Sequence, residues 1–214
     1  MEKLTKRDCK KYLKSGALSQ TFLDTEFILK KIDYDYNYNI KTNKNYTKIE
    51  SLYYWIHKNL KRVQNEDVKR KYKFQRTARE IWESGFSTGC TDWALVFATL
   101  SRQIGIPTTF FHTVEYNWLK KLKNGDNYDI AVGHSFCECY YEGKWVLVDP
   151  TVCEIMFDYN TKKIILPYKL TGRVNQFVPY FRGLDLGQTM TLSEHNLEQE
   201  KICKELEIDN NIYL

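Results

Sequence analysis

The sequence predicts an α+β fold in which helices come first and an antiparallel sheet then packs against one central helix. Three observations carry this reading. Apolar residues recur at helical spacing up to about residue 103. Gly105 and Pro107 then break the helical pattern. From residue 108 onward apolar and polar residues alternate, and Glu142-Gly143 forms a two-residue connection between two such runs.

Taken in chain order, Phe22, Phe27, Ile28 and Ile32 mark a short amphipathic helix, and DYDYNYNIKTNKNYT (33–47) reads as a polar loop. That loop separates an N-terminal helical extension (1–48) from a main domain (49–214). Ile49, Leu52, Tyr53, Ile56 and Leu60 give the next helix a single buried stripe, ended by the polar stretch 64–73. A short helix over 76–83 stops at Ser84-Gly85. Trp93, Ala94, Val96, Phe97, Leu100 and Ile104 give the segment 90–103 a wide apolar face, as a buried central helix requires. A strand follows over 108–116, with Phe110, His112, Val114 and Tyr116 on one side. The residues 117–132, rich in Lys and Asn-Gly-Asp turn chemistry, then read as a long loop and a candidate lid. HSFCECYY (134–141) and KWVLVD (144–149) form a hairpin, 164–170 adds a strand, and 191–206 closes the chain as a helix with Thr191 and Glu194 in capping-box spacing.

A length of 214 residues with 43% hydrophobic and 28% charged residues supplies a core for one domain with appendages and excludes wholesale disorder. The longest apolar run, 93–100, is far short of the ~18 residues a spanning helix needs, so no membrane is expected as a partner. The first residues carry no secretory pattern, and a cytoplasmic location is the expectation. The six cysteines read as free thiols, since a chain of this size needs no disulfide framework. The net charge of +5 includes a crowd of Lys3, Lys6, Arg7, Lys10, Lys11 and Lys14. A solvated helix face explains those residues without a nucleic-acid partner. Tyr34, Tyr36 and Tyr38 read as loop anchors, and no phosphate loop, dinucleotide fingerprint or other cofactor motif is present.

The chemistry centres on Cys90. It stands at the start of the central helix, where unpaired amides and the helix dipole favour a thiolate, although a buried structural cysteine is the ordinary alternative. The hairpin adds two groups. A two-residue turn at 142–143 pairs residues whose numbers sum to 285, so Phe136 faces Asp149, and His134 lies on the same face as Asp149, one diagonal away. Spacing therefore predicts a His134–Asp149 pair able to serve a thiol as base and acid. Cys137 and Cys139 point to the opposite face and lack a second Cys/His pair for zinc, so no metal site is expected. His112 reads as a satisfied sheet histidine, and His57 and His195 as surface residues.

These segments resemble the transglutaminase-like superfamily of papain-like cysteine enzymes, which includes proteases and peptide N-glycanases. GCTDWALVFATLSRQIGIPT (89–108) is similar to its nucleophile segment, GHSFCECYYEGKWVLVDPT (133–151) to its His–Asp hairpin, and RTAREIWESGFSTGC (76–90) and IESLYYWIHKNL (49–60) to the approach. The resemblance implies a papain-like core, with Cys90 as nucleophile, His134 as base and acid, Asp149 as orienting carboxylate and the Cys90 N–H as an oxyanion donor. Trp82 is the candidate for a second donor. It further implies a peptide or protein amide as substrate, with release of the acyl group to water or, as in transglutaminases, to an amine. A non-catalytic peptide-binding module is the contrasting expectation. Thr91 stands where calcium-dependent animal transglutaminases place tryptophan, and the paired CxxC of peptide N-glycanases is missing, so neither calcium nor zinc is implied.

Overall fold

The computed structural model describes residues 6–41, 47–126, 131–162, 165–170 and 173–207. The helices α1 (Lys6–Tyr12), α2 (Thr25–Lys41) and α3 (Lys48–Asn59) come first, then a short strand β1 (Lys61–Arg62), α4 (Glu66–Tyr72) and α5 (Ala78–Ser84). A two-residue strand β2 (Phe86–Ser87) pairs in parallel with β1 and leads into the central helix α6 (Cys90–Gln103). After it come β3 (Thr108–Glu115), α7 (Tyr116–Asn124), the hairpin β4 (Gly133–Tyr141) and β5 (Lys144–Asp149), β6 (Glu154–Met156), β7 (Leu166–Leu170), β8 (Arg173–Gly183) and α8 (Leu192–Glu205). The six longer strands form one antiparallel sheet in the order β6-β5-β4-β3-β8-β7.

Helix α6 lies on one face of this sheet. Its Ala94, Val96, Phe97 and Leu100 join Phe110, Cys137, Cys139, Val146 and Val148 in the largest core, together with Ile49, Leu52 and Ile56 of α3. Full burial of such side chains stabilises by roughly 1.5–3 kcal/mol each. The other face carries Phe111, Phe136, Leu147, Tyr159, Leu166, Tyr168 and Phe177. The hairpin has the expected register, with Tyr141 opposite Lys144 and Cys137 opposite Val148. Its turn residues Glu142 and Gly143 both take positive φ, 49° and 81°, as a type I′ turn requires.

Four elements differ from the sequence expectation. Helix α2 runs on to Lys41 through residues read as loop, because nothing between 25 and 41 is Pro or Gly and the polar residues there continue a helix once it is nucleated. The side chains of Tyr34, Tyr36 and Tyr38 lie outside the described residues. The candidate lid is largely helix α7. Its lysines face outward while Tyr116, Trp118, Leu119 and Leu122 are buried against Val114, Val178 and Cys203, so the segment is anchored. The polar stretch after α3 contains α4, which buries no residue and is capped by the Asn65 side chain. Strand β8 had no sequence signal because Pro179 interrupts its alternation. It sits at a bulge, where Phe181 and Pro179 face His112 and Thr113 and Tyr180 is the extra residue.

Residues 1–48, read as an extension, bring Leu18, Ile28 and Ile32 into the same core as α3 and α6. A buried latch holds the segment. Asp185 Oδ2 accepts from the Leu18 N–H at 2.7 Å and the Ser19 hydroxyl at 2.8 Å, while Oδ1 accepts from the Gly187 N–H at 2.8 Å. A Cβ at Gly16 would lie 2.3 Å from Asp185 Oδ2. Gly16→Ala is therefore expected to displace the latch and lower stability by ~1–3 kcal/mol in denaturant titration, with earlier proteolysis of the first 25 residues. Among the described residues no helix is long and apolar enough to cross a membrane.

Candidate active site

Helix α6 begins without a side-chain cap: its N-cap is Gly89, and the first amides have no side-chain acceptor. What fixes this start is Asp92, one turn in. Its Oδ2 accepts from the Thr88 N–H at 2.7 Å, the Thr88 hydroxyl at 2.9 Å and Arg76 Nη2 at 2.6 Å. Burial pushes the Asp92 carboxyl up, Arg76 and Thr88 oppose it, and the net shift is upward. The Arg76 guanidinium also bonds Ser84 at 2.6 Å and lies over the Phe86 ring at 4.4 Å. The loop that presents Cys90 is thus tied to both α5 and α6.

The sheet supplies the facing groups. His134 is the second residue of β4 and Asp149 the last of β5, and His134 Nε2 donates to Asp149 Oδ2 at 2.6 Å, both side chains being buried. The same oxygen accepts from the Tyr168 hydroxyl at 3.0 Å, and Oδ1 takes the Thr151 N–H at 2.9 Å. With Nε2 committed to Asp149, Nδ1 is left for the sulfur. Cys90 lies within electrostatic reach of His134 and Ser135, and Ser135 Oγ is 3.1 Å from the Thr91 hydroxyl, which ties α6 to β4 at this point. Burial raises the Cys90 thiol, but the His134 and Ser135 hydrogen bonds and the His134 charge outweigh it and bring the pKa down to about 7. For His134, burial lowers the pKa, while Asp149 and Cys90 raise it to about 10. At pH 7 about half of the thiol is then ionised, as a thiolate beside an imidazolium. The three residues read from the sequence are brought together, and Cys90 is half-buried.

Other groups nearby were not legible. Tyr168 stands on β7 and donates its single proton to Asp149 or, at 2.9 Å, to Glu154, so it steadies the carboxylate from behind. Tyr168→Phe is expected to leave the fold intact, lower stability by ~0.5–1.5 kcal/mol and reduce turnover a few-fold through kcat with KM unchanged; steady-state kinetics checks this. His57, expected at the surface, is half-buried. It stacks on Trp93 at 4.0 Å and donates to the Pro150 carbonyl at 2.6 Å, holding the end of β5 beside α6. His195, expected exposed, is buried against Phe74 at 3.8 Å because α8 folds back onto the sheet. His112 is only half satisfied: Nδ1 meets the Tyr180 hydroxyl at 3.1 Å, while Nε2 has no partner among the described residues. Burial is the largest cause that pushes both imidazoles down; neighbouring positive charge adds to it, and at His195 a hydrogen bond with Asn196 opposes it. Trp82 packs between Phe22 and Trp55, with ring centroids 6.2 and 5.0 Å away. Cys137 and Cys139 are buried under α6, with Cys137 Sγ 3.4 Å from the Ala94 carbonyl. Among the described residues no three His, Cys, Asp or Glu side chains gather as metal ligands.

A thiol at a helix start facing a histidine and a carboxylate on adjacent antiparallel strands is the layout of papain-like cysteine enzymes. The family model of the transglutaminase-like superfamily matches residues 32–150, more than half of the sequence, and the chain belongs to that superfamily. No curated protein matches the chain. Among solved structures it is similar to a candidate cysteine protease from Cytophaga hutchinsonii, at 19% identity and a TM-score of 0.48, over 83% of this chain and 47% of that one. The chain thus spans about half the length of that neighbour.

Proposed function

We propose that the protein opens amide bonds through a thioester, with Cys90 as nucleophile, His134 as acid and base, and Asp149 as the group that orients His134. One observation carries the reading: at the uncapped start of a buried helix Cys90 lies within electrostatic reach of His134, and His134 is hydrogen-bonded to Asp149. The thiolate attacks the amide carbon, and the developing oxyanion meets the Cys90 N–H, aided by the positive end of the helix dipole. As the C–N bond breaks, the His134 imidazolium gives its proton to the departing amine and the acyl group stays on sulfur. Neutral His134 then takes a proton from water, whose oxygen attacks the thioester and releases the acid and the thiolate. Asp149, bonded through both oxygens, keeps Nδ1 aimed at sulfur throughout. The catalytic unit we assign is 49–214, with 1–48 as a helical extension sharing its core, and its substrate is a peptide or a glutamine side chain.

Hydrolysis is the favoured outcome, since Cys90 keeps part of its surface exposed and water is always present. The test is a panel of glutamine-containing peptides followed by mass spectrometry and ammonia release, with and without an added primary amine. The reading expects chain cleavage or ammonia release that needs Cys90 and does not depend on the amine. Amine incorporation in place of hydrolysis would instead assign acyl transfer, and peptide binding without turnover by a reactive Cys90 would assign a binding module. The rate should follow a bell between about pH 7, where the thiolate forms, and about pH 10, where His134 loses its proton.

A further inference from the structure

A cavity of about 440 Å³ opens away from Cys90 between α1 and the sheet, lined among others by Lys11, Tyr12, Lys14, Glu138, Trp145 and Arg182. It lies on the face of β4 that carries His134, but Glu138 is four residues along the strand, about 13 Å from His134. Between them stand Phe136 and the cluster of Phe111, Tyr159 and Tyr168. A ligand here would therefore not reach the thiol.

The wall has a defined chemistry. Three cations face one carboxylate, and that carboxylate is already neutralised: Glu138, side chain 7% exposed, accepts from the Tyr159 hydroxyl and lies 3.3 Å from Arg182 Nη2. The Arg182 side chain is 40% exposed and lies over the Phe111 ring at 5.4 Å, which holds the guanidinium plane in place. Thr109, the cross-strand partner of Glu138, also lines the cavity and is only 6% exposed, and its hydroxyl has no hydrogen-bond partner among the described residues. The remaining wall is aromatic: Tyr12 and Trp145 meet edge to face at 5.3 Å. A volume of this size holds a small organic molecule, not a bare ion.

From this cavity we infer that the protein binds a small anionic ligand bearing a flat ring, the acid group on Arg182, Lys11 and Lys14 and the ring against Tyr12 and Trp145. The lysines at the start of the chain then have a local task, distinct from a nucleic-acid arm. A phosphate and a carboxylate share this chemistry. Calorimetric titration of the full chain with phenyl phosphate, phenylacetate, inorganic phosphate and benzyl alcohol tests it, with the Trp145 indole N–H followed by NMR. Saturable binding of phenyl phosphate or phenylacetate at ~1 mM or tighter is expected, with whichever binds naming the acid group. Inorganic phosphate and benzyl alcohol should be at least about tenfold weaker, and only the ring-bearing acids should move the Trp145 signal. Lys11→Ala/Lys14→Ala, which leaves the Glu138–Arg182 pair untouched, should weaken binding about tenfold, as should Arg182→Gln. Cys90→Ala should bind unchanged, which separates this site from the thiol. Absence of saturable binding, equal binding of inorganic phosphate, or unchanged binding by the double lysine variant would overturn the proposal.

Discussion

Replacing His134 by alanine is expected to slow alkylation of Cys90 about tenfold at pH 6 and to abolish amide turnover. With the thiol brought down to about 7, roughly a tenth is thiolate at pH 6; at the ordinary value of 9.0 the fraction is about a thousandth. The hundredfold gain in thiolate is partly offset because a less basic sulfur is a poorer nucleophile. With a Brønsted slope of ~0.4–0.5, two pKa units remove close to tenfold of it. In the wild type, the labelling rate should rise to a plateau just above pH 7; in His134→Ala it should keep climbing beyond pH 8. The buried Cys137 and Cys139, whose thiols are held up chiefly by burial, should remain unlabelled in both. Peptide mapping after iodoacetamide treatment reads the site and the rate together. Turnover suffers more than labelling because the leaving amine also loses its proton donor, a contribution of ~10²–10⁴.

The second large effect is on stability. Asp92→Ala should lower the unfolding free energy by ~3–5 kcal/mol, because it leaves Arg76 buried beside aromatic rings without its carboxylate and strips the Thr88 N–H of its acceptor. For a domain of this size, thermal unfolding should fall by roughly 10 °C. A double variant, Arg76→Met with Asp92→Leu, separates the causes. If the penalty comes from an unpaired buried charge, the double variant is more stable than Asp92→Ala alone. If the lost Thr88 contacts dominate, the two variants are alike. Either way Cys90 labelling should slow, since the loop that presents it is no longer fixed.

The parts of the molecule that follow from short-range rules were legible in the sequence. The α6 boundaries, the Gly85 stop, the Thr191 capping box and the hairpin register come from periodicity, caps and a two-residue turn. That register put His134 and Asp149 on one face, and the pair is hydrogen-bonded. What could not be read depends on partners distant in sequence. Strand β8 pairs with β3 across a bulge at Pro179, so alternation fails where the ladder breaks. Helix α7 hides its apolar stripe among lysines and is fixed by α8 and β8. Tyr168 reaches Asp149 from nineteen residues away, and His57 reaches Pro150 from ninety-three. The Asp92 latch is local, four residues from Thr88, and the Thr-Gly-Cys-Thr-Asp string carried its spacing. Its other half, Arg76, became recognisable only once α5 was placed against α6.

The central claim is that Cys90 and His134 form an ion pair at neutral pH. The most direct measurement is the protonation state of the His134 ring, followed by nitrogen-15 NMR from pH 5 to 10 in the wild type and in Cys90→Ala. The account predicts an imidazolium that persists well above pH 7 in the wild type, with its Nε2 proton shifted by the bond to Asp149, and a lower titration point once the sulfur is removed. A His134 ring that titrates near the ordinary 6.5 in both proteins would contradict it.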